Sequence, residues 1–365
     1  MVLTILSYVM IVVFMYVIMT KKLSPLTALV MVPLVFAIIT LVSGVASAVD
    51  PTTGEVGSMN IGDWVSSGLK TTSNTGIMLL FAILYFSIML DAGMFDPITK
   101  KMIAFAKGDP MRILMATAIV AACVSLNGDG TTTTLICCEA FLPIYKKLDM
   151  KIMNLGVLVI LQNTIMNLLP WGGPTARAMS VFGVGSEILA YLLPGMIISV
   201  LFVIFVVARH MGKQERKRLG VTQMSDADIA ALTVADDPEV AAIKRPKLFA
   251  FNLTLTLVLI TLLVAGSFID SISLPSSMLF IVGTCIALLV NYPNLKDQAA
   301  RIEADGGAAV QVVALVFAAG IFMGLFQGSG MADALAQSLV DIIPQQLAGF
   351  WGIIIALISA PGTFF

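Results

Sequence analysis

The chain has 365 residues, 58% of them hydrophobic and 12% charged, with a formal net charge of -1 and a mean hydropathy of +0.98. No soluble globular class has this make-up, and so balanced a charge excludes the basic footprint of a nucleic-acid-binding protein. A single histidine, His210, argues against a histidine metal centre or a catalytic triad. Cys123, Cys137, Cys138 and Cys285 lie inside apolar runs without metal-ligand spacing and read as packing residues.

The expected class is an all-α polytopic membrane protein. Its first apolar run, Val2 to Thr20, has no basic residue before it and Lys21 and Lys22 after it. That pattern predicts a retained helix starting outside rather than a cleavable signal. A second helix is expected over Pro25 to Val49. The segment from Asp50 to Asn74, with Gly54, Gly57 and Gly62, reads as an external loop with a short surface helix near Trp64. A third helix over Thr75 to Leu90 ends at Asp91-Ala92-Gly93, and Phe95 to Lys107 reads as an amphipathic helix along the inner surface.

The next unit is the unusual one. SLNGDGTTTT, Ser125 to Thr134, is a polar, glycine-rich run between apolar stretches Ile113 to Leu126 and Leu135 to Ile144. These stretches are about 14 and 10 residues long, whereas a bilayer span needs roughly 20. Lys100, Lys101, Lys107 and Arg112 precede the pair, and Lys146, Lys147 and Lys151 follow it, which places both ends on the cytoplasmic side. A re-entrant hairpin, about 111–144, satisfies both facts. Its tip must be covered by protein or line a wet cavity, because unpaired backbone groups in hydrocarbon cost several kcal/mol each.

A broken helix, about 152–184, follows, interrupted by NLLPWGGP from Asn167 to Pro174, where proline removes a donor and two glycines cannot sustain the helix. At 1.5 Å per residue, Arg112 to Leu126 rises about 21 Å and Lys151 to Pro170 about 28 Å, which sets the two breaks at similar depths. A helix over Ile188 to Ala208 then leads to a linker, Arg209 to Lys247. The basic ends of that linker read as topology signals. Helices are expected over Leu248 to Ser267 and Pro275 to Asn291, with Asp270 outside. Asn294 to Ala304 reads as an inner surface segment, followed by an outward helix over Ala308 to Phe326.

The late chain echoes the early one. Phe81 to Asp96 lines up with Phe317 to Asp333, and Ser125 and Gly128 with Ser359 and Gly362. The two copies have opposite predicted orientation, the signature of an inverted-repeat transporter with re-entrant hairpins and broken helices. The domain plan is an N-terminal transmembrane half (1–208), a cytoplasmic linker (209–247) and a C-terminal half (248–365). That last half reads as stopping at its own hairpin, as in a piece of a longer protein.

Gly128 and Gly130 permit positive φ at the first tip, and Thr131 to Thr134 can cap the returning arm so that its N-terminal amides face the site. Pro174 is suited to the start of a second helix, and this N-terminus together with Arg177 favours an anion. An unpaired charge at that depth is costly without a functional partner. Asp129 is then repulsive unless it is protonated or a cation intervenes. Ser125, Asn127, Thr131, Thr132, Asn163 and Asn167 offer neutral oxygens for a hard cation or for a carboxylate, or bridge helices. Glu139 either relays protons or pairs with a lysine at the inner face. No nucleophile and base stand in an arrangement that would suggest an enzyme.

SLNGDGTTTT and NLLPWGGPTARA (Asn167 to Ala178), with the hydropathy plan, resemble the citrate-metal-proton symporter family (CitMHS) of the ion transporter superfamily. The resemblance implies proton-coupled uptake of citrate complexed with a divalent cation, Mg2+ or Ca2+, as co-substrate. It also implies alternating access, residence in the inner (plasma) membrane, a homodimeric scaffold and no tightly bound cofactor. By analogy with related carriers it places substrate contacts at Asn127, Gly128, Thr131, Thr132, Trp171, Gly172, Gly173, Thr175 and Arg177, and in the second half at Ser359, Gly362 and Thr363. Metal or proton contacts fall to Ser125, Asn127, Asp129 and Glu139. The competing expectation is a cation/proton antiporter or oxyanion carrier of the same superfamily, which needs Asp129 but not Arg177.

Overall fold

The computed structural model describes residues 1–47, 60–221, 238–269 and 274–342, and every regular element among them is helical. In chain order these are α1 (Val2–Met19), α2 (Pro25–Val42), α3 (Ile61–Asp91), α4 (Asp96–Ala106), α5 (Pro110–Val124), α6 (Gly130–Lys147), α7 (Ile152–Met166) and α8 (Gly173–Phe182). They continue with α9 (Ile188–Phe202), α10 (Arg209–Leu219), α11 (Pro238–Ile243), α12 (Phe249–Phe268), α13 (Ser276–Asn291), α14 (Leu295–Gly328) and α15 (Met331–Ile342). Among the described residues, 7 helical segments are long and apolar enough to cross a bilayer. Large apolar side chains point outward from them, including Ile5, Val9 and Val12 of α1 and Tyr191, Ile198 and Phe202 of α9. Apolar surface presented on this scale is matched by lipid rather than water. The chain is an all-α polytopic membrane protein.

Its contacts divide into two compact units, Met1–Ser73 with Ala314–Phe365, and Asn74–Val313. In the first unit, Met10, Val32, Phe36 and Met331 form a core on which Phe14 and Phe322 pack. The Ser7 hydroxyl donates to the Met331 carbonyl at 2.9 Å. The first turns of α3 and the last turns of α14 meet backbone to backbone. A Cβ on Gly68 would strike the Gly320 carbonyl oxygen and lie 2.9 Å from the Gly324 nitrogen; one on Gly324 would strike the Trp64 carbonyl oxygen. Gly324→Val is therefore expected to destabilise this crossing by about 1–3 kcal/mol, the usual cost of overpacking. Thermal unfolding in detergent checks it, and an unchanged midpoint would contradict the packing.

That crossing corrects the expected surface loop. Ile61 to Asn74 belongs to the continuous helix α3, and Trp64 is buried against Ala37 and Leu325. Close packing overrides the weak helix preference of its serine and threonine run. The mixed-charge segment from Asn294 is likewise the start of α14. In the other direction, α2 ends at Val42 rather than Val49, where the Ser43 hydroxyl donates to the Ile39 carbonyl and Gly44 turns left-handed at φ +64. The amphipathic segment forms α4, and α7 and α8 lie on either side of the segment from Asn167 to Gly172. Asp270 lies outside the described residues.

In the second unit, α5 and α6 run antiparallel as the two arms of the hairpin, joined by a hydrogen bond between Thr117 and Tyr145 at 3.2 Å. With its terminal turn, Pro110–Asn127 reaches 18 residues and meets the length of a span. Shortness of the arms therefore does not by itself establish the re-entrant geometry. The expected end of a helix at Ala208 is absent too, because one wide π turn, Val203–Ala208, carries α9 straight into α10.

The basic linker ends are tied down by the protein. From α10, Arg216 reaches Asp109 at 3.6 Å, and Arg218 pairs with the buried Glu215 at 2.8 Å. Downstream, Lys244 pairs with Asp96 at 2.6 Å, and Arg245 lies 4.9 Å over the Tyr292 ring. Asp109 also caps the start of α5 by accepting the Met111 amide at 3.1 Å, and the Lys151 amide at the start of α7 donates to Glu215 at 3.4 Å. Hence α10 anchors the near ends of both helices whose far ends carry the interruptions.

Candidate functional site

The two interruptions meet. Beyond α5 the chain makes one 3-10 turn, Ser125–Asn127, and Gly128 then adopts φ +75. The indole nitrogen of Trp171, in the break between α7 and α8, donates to the Leu126 carbonyl at 2.8 Å. A Cβ on Gly128 would lie 3.0 Å from the Trp171 carbonyl oxygen and 3.5 Å from the Gly172 Cα. Trp171 is itself fixed, 2% exposed, stacked on Phe86 at 5.9 Å and edge-on to Phe280 at 5.2 Å.

The tip is built on one carboxylate. Asp129 is the N-cap of α6: its oxygens accept the Thr131 amide at 3.3 Å, the Thr132 amide at 2.7 Å and the Thr132 hydroxyl. Asn127 supports the turn from below, its side-chain oxygen accepting the Asp129 amide at 2.8 Å. The expectation that the threonines cap this arm, leaving its amides free, is thus corrected. An aspartate at this position satisfies the first amides more strongly and sets a negative charge against the positive helix end. Asp129 and Thr131 remain exposed, whereas Ser125 and Asn127 are buried.

The second interruption has the opposite character. The C-cap residue of α7, Asn167, leads through Trp171 to Gly172, where a Cβ would strike the Asn167 carbonyl oxygen. The Thr175 hydroxyl closes the break by donating to that carbonyl at 3.0 Å. Gly173, not Pro174, is the first residue of α8, and Gly172 caps it with no side chain. The first amides of a helix have no intrahelical partner, so this N-terminus keeps its positive end open. Arg177 projects from the second turn, exposed and without an ion pair or hydrogen bond from its side chain to any described residue.

Other expected residues are placed apart. Glu139 lies nine residues along α6 from Gly130, a rise of about 13 Å, and is exposed. Ser359, Gly362 and Thr363 lie outside the described residues. Gln162, on α7 beside Asn163, is fully buried and escapes a reading of the motifs alone. Its signal was visible as an amide directly before Asn163 in the otherwise mostly apolar run from Ile152 to Met166. Among the described residues no three histidine, cysteine, aspartate or glutamate side chains cluster as a metal site.

Comparison with known proteins gives this geometry a family. A family model described as "Citrate transporter" matches residues 14–365. A Bacillus subtilis (strain 168) protein named "Citrate transporter" is 45% identical over 364 residues, which cover 100% of this chain and 79% of that protein. A second from the same organism, "Mg(2+)/citrate complex secondary transporter", is 42% identical over 366 residues, covering 99% and 78%. A third, "Uncharacterized transporter YraO", is 41% identical over 368 residues, covering 99% and 79%. With its apolar helices, hairpin tip and helix break all inside the matched range, the chain belongs to the citrate transporter family, CitMHS, and is a carrier rather than an enzyme.

Proposed function

We propose that this carrier is a secondary active symporter which takes up citrate complexed with a divalent metal ion, together with protons, by alternating access across the inner (plasma) membrane. The observation that carries the reading is the unequal capping of two helices that start at one junction. The N-terminus of α6 is covered by the Asp129 carboxylate, and that of α8 is open and followed by Arg177. A metal-citrate complex has matching poles: the metal faces a carboxylate, and the remaining negative charge faces open amides and a guanidinium. Asn127, Gly128, Thr131, Thr132, Gly172, Gly173 and Thr175 shape this junction, and Trp171 pins it. Ser359, Gly362 and Thr363 enter the proposal on sequence grounds alone, as does a homodimeric scaffold.

An inverted repeat is part of the same reading. Its support is a shared local plan, in which α3 and α14 each end near a left-handed glycine, Gly93 at φ +74 and Gly330 at φ +77, and a short helix follows. The metal is Mg2+ or Ca2+, carried as co-substrate.

Uptake of labelled citrate into vesicles containing the protein, with and without Mg2+ or Ca2+ and with and without a protonophore, tests the function. Uptake that needs the metal and collapses with the proton gradient is expected; uptake indifferent to both would overturn the proposal. Asp129→Asn preserves a good N-cap while deleting the charge, so it is expected to fold normally and to shift the metal or pH dependence. Asp129→Ala should in addition cost about 0.5–2 kcal/mol of stability. Unaltered metal and pH profiles in Asp129→Asn would remove the carboxylate from the site.

A further inference from the structure

Among the described residues, the buried side-chain polar atoms with no protein partner are Ser125 Oγ, both amide atoms of Gln162, Asn163 Oδ1 and Asn167 Oδ1. They do not scatter. All four residues lie on the hairpin tip or on the helix leading into the break, and Ser125 and Gln162 are fully buried. Elsewhere in the same unit a buried amide pair is fully matched, Asn252 and Asn291 bonding each other at 2.8 and 2.9 Å. Asn163 and Asn167 share one face of α7, four residues apart. Asn163 also meets the start of α6, since a Cβ on Gly130 would lie 2.7 Å from its side-chain nitrogen. Ser125 and Asn163 thus belong to the zone where α7 approaches the tip, Asn167 follows one turn on, and Gln162 is the buried residue next to Asn163.

The chemistry of this set is lopsided. Three carbonyl oxygens and one hydroxyl can accept, and the only amide donor among the orphaned atoms is the Gln162 nitrogen. A citrate carboxylate, which only accepts, would leave most of them unmatched. A cation or a strongly donating water species matches them. None of the four is a carboxylate, whereas hard divalent ions favour carboxylate ligands, so neutral oxygens suit a single charge.

We propose that Gln162, with Ser125, Asn163 and Asn167, binds a water-sized monovalent cation, hydronium or an alkali ion, at a position separate from the divalent metal carried with citrate. The proposal rests on the transport reading above. A cation here would fasten the tip to α7 and favour the arrangement that receives the solute, so loading of the two is coupled.

The test uses purified protein in proteoliposomes, with labelled citrate and saturating Mg2+. One series varies pH in choline medium, and another varies Na+ at fixed pH, which distinguishes the two cation sources. Gln162→Leu keeps the bulk and deletes both amide atoms. It is expected to move the midpoint for the driving cation by roughly tenfold, about one pH unit if hydronium is the ion, while the citrate KM at saturating cation stays within about twofold. A wild-type midpoint in Gln162→Leu overturns the proposal, even if maximal rate or melting temperature falls. Should that variant fail to reach the membrane folded, Ser125→Ala decides the same comparison, with a shift in the same direction supporting the site and none overturning it. Absence of citrate uptake by the wild-type protein in every medium would sink the transport reading itself. Metal-dependent citrate uptake insensitive to both cations would sink this inference and the proton coupling, and leave citrate transport itself standing.

Discussion

Arg177→Ala is expected to abolish citrate uptake while leaving membrane insertion and thermal unfolding unchanged. A guanidinium on a membrane-embedded helix costs at least ~2.5 kcal/mol unless a partner or a function offsets it. Arg177 pairs with no described acid, so it gives the fold no ion pair whose loss would be felt. It does stand just beyond the open N-terminus of α8, where a carboxylate of the solute would meet both. A lost charge-assisted hydrogen bond of about 1.5–3 kcal/mol corresponds to a factor of roughly 10 to 150 in binding, and loss of a bidentate pair to more. Arg177→Lys keeps the charge without the fork and should fall in between. Counterflow of labelled citrate, with monodispersity in detergent as the folding control, makes the measurement. Wild-type counterflow in Arg177→Ala would place the solute elsewhere.

Gly128→Val is expected to have a comparable effect through geometry rather than charge. The residue holds φ +75, where a β-branched side chain is strained by about 1–3 kcal/mol. Its new Cβ would also press on the Trp171 carbonyl oxygen at 3.0 Å, beside the indole ring at an ordinary contact distance of 3.5 Å. Trp171 cannot retreat, because Phe86 and Phe280 enclose it. The tip and the break must therefore part, and uptake should be lost. Gly156→Ala is the control on α7: a Cβ there meets nothing within 4 Å, and alanine is the better helix former. Near-normal uptake in Gly156→Ala alongside loss in Gly128→Val is the expected pair of results. Normal uptake in both would show that the junction is not needed.

These positions also show what a reader of the sequence could and could not see. Gly128, Gly172 and Pro174 are legible because punctuating residues inside apolar stretches have few explanations at membrane depth. The rises along α5 and α7 set the two punctuated stretches at similar depths and so allowed them to face each other; the Trp171 to Leu126 hydrogen bond shows that they meet. The cap was legible but misassigned, since Asp-Gly-Thr-Thr before a helix points to the aspartate as much as to the threonines. The extension of α3 was not legible. Ser66, Lys70, Thr71 and Ser73 look like a loop, and only Gly320 and Gly324, some 250 residues away, make that stretch a helix. The ion pairs of α10 were hidden for the same reason: Asp109 and Asp149 are remote in sequence from the arginines that reach them.

The account's central claim, that hairpin tip and helix break receive one solute, is tested most directly by paired protection. With Cys123, Cys137, Cys138 and Cys285 replaced, Thr131→Cys probes the exposed tip, and Gly173→Cys probes the open start of α8, where an added Cβ meets nothing within 4 Å. Maleimide labelling rates are measured with citrate alone, Mg2+ alone and both together. Slowing of both sites by the combination, and much less by either component, is the predicted result. Protection of only one site, or of neither, would contradict the claim.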